Sequence, residues 1–178
     1  MDTDLSLVAR RVARGDPAAF RVIVEHTQQQ NYRLAARILG STADAEDALQ
    51  EAYVKAYRAL SEGRFDERAG LRTWLRRVVT NACIDALRRR AARPAGDDTA
   101  LDNGRFASGL DPEARTALAE LGSWLDELPP EQRAALVLCA VEGLTAPEAA
   151  DALGCSVGAV EQRLVRARAT LRQRRGAT

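Results

Sequence analysis

Between residues 44 and 60 the apolar positions Ala45, Ala48, Leu49, Ala52, Tyr53, Ala56, Tyr57 and Leu60 recur at steps of three and four, so they share one side of a helix and that side is expected to be core. Similar spacing predicts short helices over Asp4–Arg14 and Pro17–Thr27, the second opened by Asp16 as N-cap with Pro17 in the first helical position. Asn31–Leu39 continues the pattern and Gly40 ends it. After a polar loop from Ser61 to Gly70, a second long helix is expected over Leu71–Arg90. Its inner side holds Leu71, Trp74, Leu75, Val78 and Ala82, and its outer side Thr73, Arg76, Arg77, Thr80, Asn81 and Arg88.

The stretch from Arg93 to Pro112 strings together Pro, Gly, Asp, Asn and Ser with few large apolar residues, the composition of a flexible linker. Beyond it an amphipathic helix is expected around Ala114–Leu128, broken by Pro129 and Pro130, followed by an almost wholly apolar helix over Glu131–Glu142 that should form the centre of its module. The next segment has the local chemistry of a helix-turn-helix. Gly143 ends a helix, Thr145 and Glu148 make a capping box around Pro147, Gly154 supplies a left-handed turn, and Ser156 caps the last helix. In that helix Val157, Val160, Leu164, Ala167 and Leu171 face inward, leaving Ala159, Gln162, Arg163 and Arg166 outward, where side chains can reach base edges in a major groove. The expected fold is all-α: two small helical domains, residues 1–93 and 114–178, joined by an acidic linker over 94–113.

Composition narrows the function. Aromatic residues are 4% of the 178, and Ala, Leu, Arg and Glu dominate, as helices prefer. No stretch approaches the roughly 18 uncharged apolar residues of a membrane span, and Met1–Arg14 lacks the apolar centre of a secretion signal, so a cytoplasmic protein is expected. Cys83, Cys139 and Cys155 are scattered and His26 is the only histidine, which supports neither a disulfide framework nor a zinc site; the cysteines are read as small buried apolar residues. No cofactor is expected.

The net charge of +1 conceals a strong polarity. Residues 1–93 carry 17 basic and 12 acidic groups, and 94–113 carry 1 and 5. Residues 114–161 hold 2 basic and 8 acidic groups, whereas 162–178 hold 6 arginines and no acid. Such polarisation within one small domain is the footprint of a nucleic-acid face, against the alternative of a packed helical domain whose arginines are only solvated. The basic stripe of the Leu71–Arg90 helix is less specific, being either solvated or a DNA contact. On Asp44–Leu60 the face opposite the core holds Asp47, Gln50, Glu51 and Val54, and an exposed valine among acids points to a protein contact. A solvated acidic face at a helix N-terminus and a carboxylate metal cluster are the competing readings.

Three motifs in order, Asp44-Ala45-Glu46-Asp47-Ala48-Leu49-Gln50-Glu51, then Leu71-Arg72-Thr73-Trp74-Leu75 with Asn81, Asp85 and Arg88-Arg89-Arg90, then the helix-turn-helix over Gly143–Leu171, make the chain resemble extracytoplasmic-function sigma factors over nearly its whole length. The resemblance implies a transcription initiation factor rather than an enzyme. It assigns Asp44, Asp47, Gln50, Glu51 and Val54 to the clamp helices of the largest subunit of core RNA polymerase, with the flap of the second largest as a further contact. It assigns Arg64, Phe65, Arg68, Arg76, Arg77, Thr80, Asn81 and Arg88 to opening the minus-ten element and capturing a flipped base of promoter DNA. Ser156, Ala159, Gln162, Arg163, Arg166, Arg168 and Arg172 fall on the surface that reads the minus-thirty-five element, the last two on phosphates.

The resemblance further implies a linker threading the polymerase's RNA path, where the five acids of 94–113 would mimic nucleic-acid charge. An anti-sigma factor, soluble or held at the inner membrane, is expected to cover the polymerase-binding surfaces. Lacking the long N-terminal extension and middle domain of housekeeping sigma factors, the chain is expected to draw its inhibition from such a partner. Glu161 and Gln162 depart from the Lys and Ser frequent in relatives, and Asp66 and Glu67 from the usual base-capture loop. A stand-alone helix-turn-helix regulator and a metal enzyme using Asp44, Asp47 and Glu51 are the rival readings.

Overall fold

The computed structural model describes residues 4–65, 70–92 and 111–177. The order is α1 Leu5–Ala13, α2 Pro17–Leu39, α3 Thr42–Ser61, α4 Leu71–Ala91, α5 Pro112–Asp126, α6 Pro130–Leu136, a π-helical turn Val137–Val141, α7 Ala146–Leu153 and α8 Val157–Ala177. The described residues contain no strand. Arg68, Asp66, Glu67 and the acids of the linker up to Asp102 lie outside the described residues.

The caps explain where the first helices begin and end. Asp4 accepts from the Ser6 amide, Asp16 from the Ala19 amide and Ser41 from the Asp44 amide, each meeting a donor that the first helical turn leaves unpaired. The two expected segments Pro17–Thr27 and Asn31–Leu39 prove to be one helix running through Gln28–Gln30, because those glutamines are good helix formers and nothing between them breaks the ladder. Gly40, at φ +68°, ends it in the left-handed conformation that glycine adopts without strain.

Two apolar clusters hold the molecule. One joins α1, the front of α2, the end of α3 and the start of α4 through Leu5, Val12, Ile23, Leu60, Leu71 and Leu75. Beside it Tyr53 OH meets Thr27 Oγ1 at 2.8 Å and Asn31 Nδ2 at 3.2 Å, so the polar groups of that region are paired. The other cluster begins on the rear halves of α2 and α4 and the front half of α3 with Ile38, Leu39, Ala48, Val79, Cys83, Ile84 and Leu87. It then continues without a break into Ala134, Val137, Leu138, Ala149, Leu153 and Val160 of α6–α8. The apolar boundary therefore falls inside the N-terminal bundle, and the helix-turn-helix rests on α4.

The apolar segment Glu131–Glu142 is central, as expected, with Leu138 fully buried, but it is not a regular α-helix. From Val137 it widens into a π turn, the Glu142 amide bonding the Val137 carbonyl at 3.0 Å, five residues back. Two inward assignments need correction. Tyr57 on α3 is 37% exposed and Val157 on α8 is 38% exposed. Tyr57 turns its ring edge against Phe20 at 5.2 Å at the margin of the bundle, and Val157 sits in the first turn of α8, before the helix reaches the core at Val160.

Candidate nucleic-acid interface

Ion pairs along one edge bind α3 to α4. Glu51 receives Arg89 on both oxygens, at 3.0 and 3.1 Å, while Arg90 Nη1 lies 3.7 Å from Asp44 and Lys55 Nζ lies 3.9 Å from Asp85. The face expected to meet a protein thus divides. Asp47, Gln50 and Val54 are exposed, Val54 to 46%, and Tyr57 extends that surface. Asp44 and Glu51 are partly engaged in holding α4, and the arginines beside them supply the positive charge that a metal would. Among the described residues no group of three or more His, Cys, Asp or Glu is placed to hold a metal ion.

The expected minus-ten residues spread over three environments. Arg64 is exposed beside Glu62, with which it pairs. Phe65 packs edge-on against Trp74, ring centres 5.1 Å apart, so both belong to the margin of the first cluster. Arg76 is half-buried, and Arg77, Asn81 and Arg88 are exposed. Thr80 departs from its expected outward position: it is fully buried and its hydroxyl has no hydrogen-bond partner. Residues 77, 80, 84 and 88 fall on one side of α4 by helical spacing, and that side is where the C-terminal domain lies. Arg77 places its guanidinium over the turn of the helix-turn-helix, where a Cβ on Gly154 would lie 2.7 Å from Nη2, and Arg88 Nε donates to Glu131 at 3.1 Å.

The helix-turn-helix itself is built as its residues imply. Thr145 and Glu148 form the full capping box, and Gly154 ends α7 at φ +61°. Ser156 Oγ accepts from the Ala159 amide at 3.2 Å to open α8. The Thr145 hydroxyl and amide beside Glu148, with a smaller contribution from the Arg76 charge, hold its carboxyl below its ordinary value. On α8, Gln162, Arg166, Arg168 and Arg172 are exposed and Glu161 lies among them, whereas Ala159 and Arg163 are half-buried. Arg163 Nη1 approaches Cys155 Sγ at 3.1 Å. Of the thiols only Cys83 is buried, which pushes its pKa up to about 12; Cys139 and Cys155 are half-buried.

Sequence reading missed the ions that join the two domains. Arg133 of α6, just ahead of the apolar run Ala134–Val141, is 2% exposed and pairs with Asp126 across the Pro129–Pro130 corner. The same Asp126 oxygen accepts from Arg90 Nη2 of the N-terminal domain at 2.8 Å. Arg37 of α2 pairs with Glu142 at the end of the π turn. An arginine at the head of an apolar run was a visible sign that a carboxylate must be close; nothing along the chain identified which one.

The family model described as Sigma-70 region 2 matches residues 23–93, and that described as Sigma-70, region 4 matches residues 110–171. The ECF RNA polymerase sigma factor SigM of Mycobacterium tuberculosis is 37% identical over 169 residues, covering 95% of this chain and 83% of SigM. Among solved structures, CnrH in complex with the cytosolic domain of CnrY is 31% identical, with a TM-score of 0.66 over 99% of both chains. The sigma factor RpoE of Bartonella quintana, in complex with the anti-sigma factor NepR, shares the fold at 21% identity, with a TM-score of 0.58 over 86% of this chain and 94% of that one.

Proposed function

Since the chain belongs to the extracytoplasmic-function RNA polymerase sigma factors, we propose that it binds core polymerase through α3 and carries it to promoters read by α4 and α8. It is a transcription initiation factor under anti-sigma control. The observation that carries this is the occurrence of both sigma regions, in order, on a chain 37% identical to a sigma factor over 95% of its length.

Residues 1–93 form the polymerase and minus-ten domain, 94–113 the linker and 114–178 the minus-thirty-five domain. Asp47, Gln50 and Val54 are the directly available contacts to the clamp helices, with Asp44 and Glu51 fixing the register of α3 on α4. Arg64, Arg68, Arg76, Arg77, Thr80, Asn81 and Arg88 address the minus-ten element, Phe65 supporting them through Trp74. On α8 the exposed Gln162 and Arg166 reach bases, Arg168 and Arg172 hold phosphates, and Ser156 and Ala159 set the entry of the helix into the groove. The exposed Val141 and Val165 are apolar side chains of the C-terminal domain available to the polymerase flap. The site of action is the cytoplasm, with retention at the inner membrane where the anti-sigma factor is anchored there.

The test is transcription of fragmented genomic DNA by purified core polymerase with and without this protein, mapping new RNA starts. Starts that share two spaced upstream elements support the assignment. Duplex binding by the protein alone with no new starts overturns it in favour of a stand-alone regulator.

A further inference from the structure

On α8 the buried Val160, Leu164 and Ala167 mark the side that packs on the core. Gly158, Gln162 and Arg166, each four residues from the next, form a row on the side away from them, and Glu161, Arg168 and Arg172 share the flank beside that row. A Cβ added at Gly158 would meet nothing within 4 Å, so the row opens on bare backbone in free space. Gln162 is then the first side chain on it long enough to reach a base, and Arg166 stands one turn further on, exposed as Gln162 is. Arg163 follows Gln162 in sequence but leaves the row. It is half-buried, its Nη1 donates to Cys155 Sγ at 3.1 Å, and its charge acts on Glu131 of α6, so it ties the helix to the turn before it.

We propose that Gln162 and Arg166 set the base preference of this protein at the minus-thirty-five element: Gln162 selects an adenine and Arg166 a guanine one or two base pairs away. This rests on the reading of α8 as the helix that enters the major groove. Adenine presents an acceptor, N7, beside a donor, the N6 amino group, and the Gln amide carries one acceptor and one donor group to match them. Guanine presents two acceptors, N7 and O6, which suit the donor-only fork of a guanidinium. Exchanging the bases breaks one bond of each pair, since the guanidinium has nothing to accept from the adenine amino group and the Gln oxygen would face guanine O6. Four residues advance about 6 Å along a helix, against about 3.4 Å per base pair, which sets the spacing of the two bases. Glu161 lies on the flank with Arg168 and Arg172, toward the phosphates, and selects no base. Arg163 is a positioning residue, held on Cys155 and away from the groove.

The experiment uses the full chain with purified core polymerase and a promoter fragment taken from the mapped RNA starts, each base pair of its upstream element replaced in turn by the other three. With the unaltered protein, binding is expected to fall about five- to 150-fold when one A·T pair is replaced and again when one G·C pair beside it or one step further is replaced. Gln162→Ala and Gln162→Ser should remove the preference at the A·T pair alone, a single hydroxyl being unable to match both groups, and Arg166→Ala the preference at the G·C pair alone. Gln162→Arg should turn the preference at the first position from adenine to guanine, a gain that misfolding cannot imitate. Arg163→Ala should lower binding to every fragment alike. If the Gln162 variants weaken all fragments equally, if Gln162→Arg leaves the preferred base unchanged, or if Arg163→Ala is the variant that loses one base preference, the assignment is overturned while the sigma-factor reading stands. If the unaltered protein yields no starts with core polymerase, that reading fails and the assignment with it.

Discussion

Asp126 and Arg133 meet across the Pro129–Pro130 corner, and the guanidinium of Arg133 is almost wholly removed from water. A buried cation without its counter-ion is costly, although replacing both partners by apolar residues is often neutral. Asp126→Asn should therefore lower stability by about 3–5 kcal/mol, whereas Asp126→Leu combined with Arg133→Met should recover most of that loss. Urea unfolding of the three chains measures both effects.

Thr80 is buried with an unpaired hydroxyl, so removing that oxygen while keeping the shape should favour the folded protein. Thr80→Val is expected to stabilise by about 1 kcal/mol in thermal unfolding. A loss of stability would show that the hydroxyl finds a partner in solution.

Glu131 gives the seam a pH dependence. Burial raises its pKa, but the Arg88 hydrogen bond and charge, with a smaller contribution from Arg163, outweigh burial and bring it below the ordinary 4.5. Its contribution is then fully present above pH 4.5 and lost as pH falls through the lower folded value. Glu148 shifts in the same direction, through its hydrogen bonds to Thr145. Stability should be flat from neutral pH down to about 4.5 with respect to these groups and fall below it, and Glu131→Gln should flatten part of that fall in melting curves taken across the acid range.

Glu161 lies on the exposed face of α8 among Gln162, Arg166 and Arg168. An acid there repels phosphate, so Glu161→Lys should strengthen binding to minus-thirty-five duplex and steepen the salt dependence by about one unit of slope. Unchanged or weaker binding at two salt concentrations would remove this helix face from the DNA contact.

Local chemistry made most helix ends legible: Asp16 before Pro17, Gly40, the Thr145–Glu148 box and Gly154 all act where they stand, through bonds that span a few residues. The exposed Val54 among acids and the arginine-rich end of α8 were legible for the same reason, since a helical period assigns faces without any knowledge of neighbours. Where the period crossed a margin, as at Tyr57 and Val157, it could not say whether a neighbour would arrive to cover the side chain.

By itself the sequence determined an all-helical chain with an acidic α3, a basic α4 and a helix-turn-helix, because caps, turns and amphipathic spacing are decided within a few residues. Only the tertiary structure decided that Thr80 is buried, that Arg77 lies on Gly154, and that Glu131, Asp126 and Glu142 take up Arg88, Arg90 and Arg37. Those pairs join residues 36 to 105 positions apart. Charge attraction at such separations has no sequence period to announce it, and partners are chosen when the shared apolar seam brings two surfaces together.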